Sequence, residues 1–573
     1  MFLTFFICCI VSETETNRER HSRSRRVPDD DRRGREVRGE TEHSILIIFM
    51  NGLASLTTVP QEVLEHIAFY AGTDTLLGPP TSLLPLLSCN RTIHDGLSFS
   101  SNPYLYARIF HHKFDVSAPL ARLGSDRLNS KALAHELRRR CLVLKRLRSR
   151  MDSKTRGALR QEAGDDGITL QDLLLTSYIM LLENEGKNKQ QLLDFGGMKG
   201  WIKEFWFDQH GASYAIYNIR IGRWPARGTE TALAMWIYWF LLKGDEYRRS
   251  INEGVESPIN IIKAMALGAH LYDLTNVPWT DFEPSPRDER PSADVVLYGE
   301  SIQIVPPPLA TPAILSFLTL VNSARSIPLT PSDAPLPDQP YREWDSEWAR
   351  CFVKPKRDIT ECFRPGSIEG IWEGFFTYTE FTAYAGMLAG AAPTIIQKGV
   401  VGRHQQTWKL REYHLLAPDH SDSDSGIDLD VDAVHPLPPG DPLRSYFPIG
   451  TQIREHFDGL MVENLRTREV RSYKHGSLPI NASSEEQQRV KDIIITGEGH
   501  SAWGQFNLVG RVRPCDGFIS LSKDYVDGDR GKWLYRGYLV GNANGNFAGR
   551  WRDTLSPADV AGYEGCFAMS RRR

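Results

Sequence analysis

The feature that most constrains the fold is a change of pattern near residue 366, beyond which short, aromatic-rich segments carry apolar residues at strand spacing. In the last part of the chain these segments recur at roughly 10- to 15-residue intervals, with glycine at their ends. They span residues 370–378, 406–415, 490–495, 503–512, 517–523, 531–539, 546–553 and 562–569. Because an open sheet leaves unpaired edges, such a meander is expected to close, and the sequence predicts an antiparallel β-barrel over residues 346–573.

The part of the chain before the strands has helical periodicity. Residues 128–150, 169–183, 229–243 and 258–272 predict a helical middle domain over residues 116–275. The helix at 128–150 has a basic face, which we expect to be exposed to solvent. The apolar run at 229–243 is about a dozen residues long, shorter than the roughly 20 of a membrane span, and predicts a buried helix. Residues 276–345 are rich in proline and predict an irregular connector with one apolar stretch at 313–321.

Composition excludes several classes of function. With 573 residues, of which 41% are hydrophobic and 10% aromatic, the chain is long enough for several globular domains. Its formal net charge of -3 gives no reason to expect nucleic acid or an anionic membrane as a partner. The eight cysteines contain no C-x-x-C pair, so we expect no metal site and a reducing compartment, cytoplasmic or nuclear. No Walker loop, dinucleotide-binding glycine pattern or catalytic constellation is recognised, which predicts a protein without a cofactor and without catalytic residues.

Residues 1–49 precede the first segment with a clear structural pattern. They begin with MFLTFFICCIV, which lacks the basic region of a signal peptide and is too short to span a bilayer. An arginine-rich stretch of low complexity follows. We interpret residues 1–49 as disordered or as a mispredicted extension, with Met50 as the start of the functional protein.

Two short apolar helices are predicted directly after Met50. The first lies in LTTVPQEVLEHIA at residues 56–68, where Thr58 is expected to cap the helix, Pro60 suits its first turn and Glu62 places negative charge at its positive end. The second lies in SLLPLLSCNRTIHD at residues 82–95, after a GPP loop at residues 78–80. In the first segment Val63, Leu64 and Ile67 fall at i, i+1 and i+4, which predicts one apolar stripe along the helix.

This combination of a proline-started helix, a glycine–proline loop and a leucine-rich helix ending in Cys-Asn-Arg resembles the F-box, a three-helix module that docks onto the adaptor Skp1 in cullin-type ubiquitin ligases. We place the module at residues 50–115. The strand motifs G-x-W-x-G, W-G-x-F-x-x-x-G-R-V, W-x-Y-R-G-Y and G-R-W-R-D are similar to the barrel that follows the F-box in fungal F-box-domain proteins. A more distant similarity is to the barrel of F-box-only proteins that recruit a cyclin. The resemblance implies an α+β multidomain protein with a three-helix F-box, a helical middle domain and a lipocalin-like antiparallel β-barrel.

The resemblance also implies a function, that of a non-catalytic substrate-recognition subunit of a Skp1–cullin–F-box ubiquitin ligase. The F-box would bind Skp1 and, through it, cullin, while the barrel would bind an unidentified target protein. In this sequence Val59 replaces the leucine that commonly precedes the proline, and Asn90 stands where a basic residue is usual. The apolar residues that would face Skp1 or fill the core of the module are Val59, Pro60, Val63, Leu64, Ile67, Leu84 and Leu87.

Three arginines near the ends of predicted strands are candidates for binding the target. Arg536, Arg550 and Arg552 are expected to form a charged mouth of the barrel, because guanidinium groups suit carboxylates and phosphates. Alternatively, they form structural ion pairs with Asp553 and Glu564.

The aromatic residues of the predicted strands have two interpretations. They either fill the barrel and join neighbouring strands through cross-strand pairs, or they line a cavity for a small ligand, and we favour the filled barrel. Gly374, Gly537 and Gly549 are predicted to be bends or points where strands approach closely. The aromatic residues concerned are Trp372, Phe376, Trp408, Trp503, Phe506, Trp533, Tyr535 and Trp551.

An acidic stretch, DSDSGIDLD at residues 422–430, interrupts the strand pattern. Its acids resemble calcium ligands, but the fifth-position acid and twelfth-position glutamate of an EF-hand loop are missing. We interpret residues 417–445 as a disordered acidic insertion in the barrel domain. Within it, DSGI at residues 424–427 resembles part of a phosphodegron.

Two other functions are compatible with the sequence. The chain is either a small-ligand-binding barrel whose F-box-like helices pack internally, or a Skp1-associated protein that acts outside a ligase. Exposed apolar residues on the helix at 59–67 would argue against the first, because an exposed apolar patch indicates a partner. Absence of cullin from the purified complex would favour the second.

Overall fold

The computed structural model describes residues 56–154, 167–243, 258–285, 292–322, 340–352, 358–399, 401–417, 435–476, 489–528, 530–541 and 545–572. The chain divides into two compact units, the first ending at Lys113 and the second beginning at Phe114. The boundary lies two residues before the predicted end of the first module, whereas the middle helices and the barrel belong to one unit. The proposed extension, residues 1–49, lies outside the described residues.

The first unit consists of short helices around a small apolar core. Pro60, with φ of -53°, occupies the N-cap position of the first helix, and Thr58 ends a preceding 3₁₀ turn. The prediction that Thr58 caps this helix is therefore wrong, because the helix begins directly after the proline that fixes its φ. Asn90 caps the third helix by accepting a hydrogen bond from the Ile93 N–H at 2.9 Å. The helices are α1 Gln61–Gly72, α2 Leu84–Leu87, α3 Arg91–Leu97 and α4 Pro103–Lys113.

The second unit begins with a helical region, as predicted. Its longest helix is capped by Asn129, whose side chain accepts hydrogen bonds from the N–H groups of Lys131 and Ala132. The next is capped by a reciprocal pair, Thr169 and Asp172. The helices are α5 Ser117–Leu123, α6 Ser130–Ser149, α7 Leu170–Leu182, α8 Lys187–Gln190, α9 Met198–Phe207, α10 Ala215–Arg220, α11 Thr229–Leu241 and α12 Pro258–Leu267.

The helix predicted to be buried, α11, is buried along its length from Thr231 to Leu241. Across the residues that the structure describes, no helix combines the length and the apolar character that a membrane crossing requires.

The α6 helix differs from expectation, because its basic face is not wholly exposed. Arg140 is fully buried and its guanidinium pairs with Glu136 at 2.9 Å and with Glu183 at 2.5 Å.

The proline-rich connector at residues 276–345 is not irregular throughout. It contains an antiparallel hairpin, β1 Ala293–Leu297 and β2 Glu300–Ile304, and a helix, α13 Ala310–Val321. The apolar stretch at residues 313–321 is part of α13, which packs against α11, α12 and two strands of the barrel. Its apolar residues are buried on all sides, and this burial stabilises the helix in spite of Pro312 in its first turn. Two further short helices follow, α14 Asp345–Arg350 and α15 Ile359–Cys362.

Eight antiparallel strands form the predicted closed barrel. In sheet order they are β3, β13, β12, β11, β10, β9, β8 and β4, and β3 pairs with both β13 and β4 to close the barrel. Between β3 and β4 lie two short helices, α16 Phe381–Leu388 and α17 Thr394–Lys398. The strands are β3 Gly370–Thr379, β4 Val401–Leu416, β8 Val490–Ser501, β9 Gly504–Val512, β10 Ile519–Tyr525, β11 Lys532–Val540, β12 Asn546–Asp553 and β13 Glu564–Arg571.

Aromatic side chains fill the barrel interior. The ring centroid of Trp408 on β4 lies 5.3 Å from that of Tyr535 on β11 and 5.9 Å from that of Phe567 on β13. The Phe567 ring in turn lies 5.1 Å from Phe547 on β12. Rings from four strands therefore meet in one buried cluster, as the filled-barrel interpretation predicts.

Three further strands, which the sequence pattern did not reveal, extend the sheet from β4. They are β5 Thr451–His456, β6 Gly459–Asn464 and β7 Val470–His475, in the order β4-β7-β6-β5. Their apolar side chains, Leu460, Val462 and Tyr473, pack against Ile494 on the outer face of the barrel.

Residues 435–445 are also ordered against the barrel, with Leu437 only 2% exposed, so the prediction of disorder over 417–445 is wrong for this part. Residues 418–434, with the DSDSGIDLD stretch, lie outside the described residues.

Two predicted close-approach glycines face each other across β11 and β12. Gly537 pairs with Gly549, and a Cβ atom on Gly537 would lie 2.1 Å from the Ala548 carbonyl oxygen. The backbone cannot move away without breaking the ladder between the two strands.

We expect Gly537→Ala to lower the free energy of unfolding of the second unit by about 1–3 kcal/mol, because the methyl group overpacks the barrel wall. Urea unfolding followed by tryptophan fluorescence measures this change. Ser472→Ala is the control, because Ser472 is an exposed residue of β7 and substitutions at such positions usually change stability by less than about 0.5 kcal/mol. Equal unfolding midpoints for the two variants would contradict the prediction.

Candidate functional site

Helix α1 exposes apolar side chains that no described residue covers. Val63 is 46% exposed, Ile67 40% and Tyr70 70%. Positions i, i+4 and i+7 lie on one face of a helix, so the three side chains form a continuous apolar stripe. Such a stripe on a short helix indicates a surface that is buried by a partner.

The other residues predicted to bind Skp1 differ in their exposure. Leu64 is buried in the core of the first unit, where it helps to fix the orientation of α1. Pro60 is exposed at the start of the helix, and Val59, Leu84 and Leu87 are half-buried. The predicted set therefore divides into residues of the exposed face and residues of the core.

A group of rings and one guanidinium continues the exposed face onto α4. The Phe69 ring lies 5.7 Å from Tyr70, and the Arg108 guanidinium lies 4.3 Å from the Phe69 centroid and 5.9 Å from that of Tyr104. Tyr104 is 59% exposed. Aromatic and arginine side chains are the residues most enriched at the centres of protein interfaces.

The three arginines predicted to form a charged mouth are buried instead. Arg536 and Arg550 are each 3% exposed and Arg552 is 1% exposed. They alternate with the interior residues of β11 and β12, so they lie on the outer face of the barrel, which the segment around Trp279 covers. The Trp279 ring centroid lies 3.9 Å from the Arg536 guanidinium and 4.9 Å from that of Arg552. The proposed exposed recognition mouth is therefore wrong.

The partners of these arginines lie within the protein. Arg536 pairs with Glu564 at 3.1 Å, in agreement with the alternative of structural ion pairs. Arg550 donates to the Tyr272 carbonyl oxygen at 2.6 Å. Arg552 donates to several backbone carbonyl oxygens, among them that of Ser556. The arginines thus attach the barrel wall to the segments that cover it.

A buried lysine inside the barrel was not identified from the sequence. Lys523 on β10 is 1% exposed, and its Nζ lies 3.8 Å from the Phe506 ring centroid and 4.7 Å from that of Tyr525. Its one hydrogen bond among the described residues is to Gln406 Oε1 at 3.4 Å. Burial lowers the pKa of Lys523 from 10.5 to about 7. The signal was present, because Lys523 lies two and four residues after the apolar Leu521 and Ile519 and therefore shares their face of the strand.

Two further buried hydrogen-bond donors in the barrel belong to β4. Gln406 Nε2 and Trp408 Nε1 are buried without a hydrogen-bond partner in the part of the chain that the structure describes. The interior of the barrel, although filled by aromatic side chains, therefore holds a small set of buried donors, which is chemically distinct from the apolar face of α1.

A groove of about 660 Å³ lies on the outer face of the barrel beside β5. Its walls include Arg444 and Phe447 from the segment before β5, Ile453 from β5 itself, and Val509 and Ser522 from barrel strands β9 and β10. It is open to solvent and mixes apolar with polar side chains, which suits a peptide better than a deeply buried small molecule.

We expect the free energy of unfolding of the wild type to rise relative to that of Lys523→Met as pH increases from 7 to 10.5. In this window the unfolded chain binds a proton on Lys523 that the folded chain has lost, so the wild type gains stability with increasing pH. The gain is roughly 2–5 kcal/mol over the window. Urea unfolding of both proteins between pH 6 and 10.5 measures the difference, in which other titrating groups cancel. Parallel pH profiles would contradict the assigned pKa of Lys523.

Comparison with known proteins adds no relative to this description. The chain matches no protein-family model, no curated protein and no solved structure. Within the described ranges, no group of histidine, cysteine, aspartate and glutamate side chains is arranged to hold a metal ion.

Proposed function

We propose that the protein is the substrate-recognition subunit of a Skp1–cullin–F-box ubiquitin ligase, with the first unit as the F-box that binds Skp1. The observation that supports this proposal most directly is the exposed apolar stripe of Val63, Ile67 and Tyr70 on α1. It lies on the helix that the F-box resemblance assigns to the adaptor.

The energetics of this stripe favour a macromolecular partner. Complete burial of a valine or isoleucine side chain contributes about 1.5–3 kcal/mol relative to full exposure. Val63 is 46% exposed and Ile67 40%, so covering what remains of the two contributes about 1–3 kcal/mol to an interface. The core side chains Leu64 and Ala68 hold α1 in place before binding, which reduces the conformational entropy lost on association. The exposure of Val63 and Ile67 argues against the alternative in which the F-box-like helices merely pack internally.

In this proposal the second unit binds the target protein. The ligase acts by proximity, because a bound target presents its lysines at a high effective concentration to the ubiquitin-loaded conjugating enzyme. No side chain of this chain is required to take part in the transfer. A receptor of this kind needs a rigid body, which fits a closed and densely filled barrel.

We expect the double variant Val63→Asp/Ile67→Asp to reduce capture of Skp1 by the full chain at least tenfold. Both side chains are exposed, so the variant should fold, whereas burying two carboxylates against an apolar partner is strongly unfavourable. Quantitative pull-down with recombinant Skp1 and cullin measures the effect. Leu64 is unsuitable for this test because it is 6% exposed and its replacement by aspartate would unfold the module.

The matched control is Leu555→Asp/Val560→Asp, which places the same charges at exposed apolar positions of the second unit. It should capture Skp1 as the wild type does. Equal capture by both double variants, or no capture by the wild type, would refute the F-box function. Capture of Skp1 without cullin would instead favour a protein that acts with Skp1 outside a ligase.

A second candidate function, a small-ligand-binding barrel, is favoured by one observation, the buried donors Lys523, Gln406 and Trp408. An acceptor-bearing small molecule would satisfy them. Native mass spectrometry of the purified full chain tests this alternative. A bound molecule that is present in the wild type and absent in Lys523→Met would support it. If both proteins show only the mass of their own chain, with no bound molecule, the alternative is rejected.

A further inference from the structure

We propose that the free edge of β5 and the groove beside it bind an extended peptide segment of another protein, which adds to the sheet as a further strand and places a carboxylate against Arg444. This inference deepens the proposed function by naming where and in which conformation the target binds, and its biological meaning rests on that function. The binding itself does not depend on Skp1.

The first observation is the position of β5 in the sheet. It is the terminal strand, so that among the described residues only β6 pairs with it. An exposed strand edge is a template for pairing with another extended chain. Peptide-binding domains use this mode of recognition, in which main-chain hydrogen bonds supply affinity and alternate side chains supply specificity.

The register identifies the main-chain groups that are available. Leu465 N–H donates to the Gly450 carbonyl oxygen, and Thr451 is opposite Asn464. Because hydrogen-bonded pairs alternate along an antiparallel ladder, the N–H and C=O groups of residues 451, 453 and 455 point away from β6. The Thr451 N–H, which donates to Pro448, agrees with this direction. Ile453 and Glu455 thus present two donors and two acceptors at the open edge.

The groove provides a surface for the side chains of the added strand. The outer face of β9 and β10, with Val509 and Ser522, forms its floor next to Ile453 of β5. Leu443 and Phe447 close one end. An added strand would therefore direct every second side chain onto a partly apolar floor and the others to solvent, the alternation that is typical of a half-buried strand.

The unpaired cation of the groove favours a peptide that carries a carboxylate beside it. Arg444 is exposed, and its guanidinium makes no ion pair or hydrogen bond with the described residues. The three acids of the groove have partners within the protein. Asp441 accepts a hydrogen bond from the Leu443 N–H at 2.9 Å, Asp524 pairs with Lys532 at 3.0 Å, and Glu455 accepts a hydrogen bond from the Tyr413 hydroxyl at 3.0 Å. Arg444 is therefore the charge that remains for a carboxylate of the ligand.

A peptide fits this edge better than a second copy of the chain. The strand has six residues and spans about 20 Å, so pairing of two such edges would bury far less than the roughly 1,200 Å² of a stable interface. When Ile453 of one copy pairs with Glu455 of the other, Arg454 of the first copy lies opposite Arg454 of the second. Like charges in that position are destabilising.

The test is selection from a phage-displayed library of random dodecapeptides on the full chain, followed by fluorescence anisotropy with the best labelled peptide. We expect alternating apolar residues with Asp or Glu among the selected sequences. Glu455→Pro removes the outward N–H and should weaken the peptide Kd at least tenfold relative to Glu455→Ala, which keeps it. Both variants lose the contact with Tyr413, so this effect cancels, and thermal unfolding verifies that both are folded.

Charge is tested by Arg444→Glu, which should weaken the same peptide at least tenfold, against Lys474→Glu on the exposed face of β7, which should not. No enrichment on the wild type, or equal affinity of the Glu455→Pro and Glu455→Ala proteins, would overturn the proposal. So would a wild-type dimer that Glu455→Pro abolishes, because the edge would then bind a second copy. Skp1 capture, which Glu455→Pro should not change, separates failure of this site from failure of the proposed function.

Discussion

Closure of the barrel through β3 is the constraint on which the second unit depends. This strand pairs with β4 on one side and with β13 on the other, so that its backbone completes the ring of hydrogen bonds. Without it, β4 and β13 would both be open edges and the aromatic cluster would face water. The other layers are built on this ring, because α12 and α13 pack against its outer face and the β5–β7 meander extends from β4.

Period-two alternation predicted the barrel but not what covers its outer face. The strands from β8 onwards were recognisable because apolar residues and glycines recur at fixed spacing. The same alternation shows that Arg536, Arg550 and Arg552 share the face opposite to the aromatic residues, but it does not show that Trp279 and the helices cover this face. The arginines were therefore predicted to be exposed to solvent. In the structure they are buried on the covered outer face of the barrel, where Glu564 and backbone carbonyl groups pair with their charges.

Other differences have the same origin, namely partners that are distant in sequence. The β5–β7 strands were missed because they are largely polar and half-exposed, and Ile453 is the one isoleucine of β5. Arg140 looked like part of a solvated helix face, since its partner Glu183 lies on another segment. On α1 the predicted apolar stripe of Val63, Leu64 and Ile67 is divided in the structure, because helical spacing alone does not decide that Leu64 faces the core while Val63 and Ile67 remain outside.

The closure by β3 and β13 also has a kinetic consequence. Thr377 on β3 and Cys566 on β13 are hydrogen-bonded although 189 residues separate them in the sequence. Contacts of such high sequence separation slow folding, because the loop entropy is lost before the contacts form. During synthesis the edge of β3 must wait until β13 has left the ribosome, and the nascent chain meanwhile exposes a strand edge and aromatic residues. Chains interrupted before Glu564 would therefore be expected to aggregate or to require chaperones, rather than to form a smaller stable barrel.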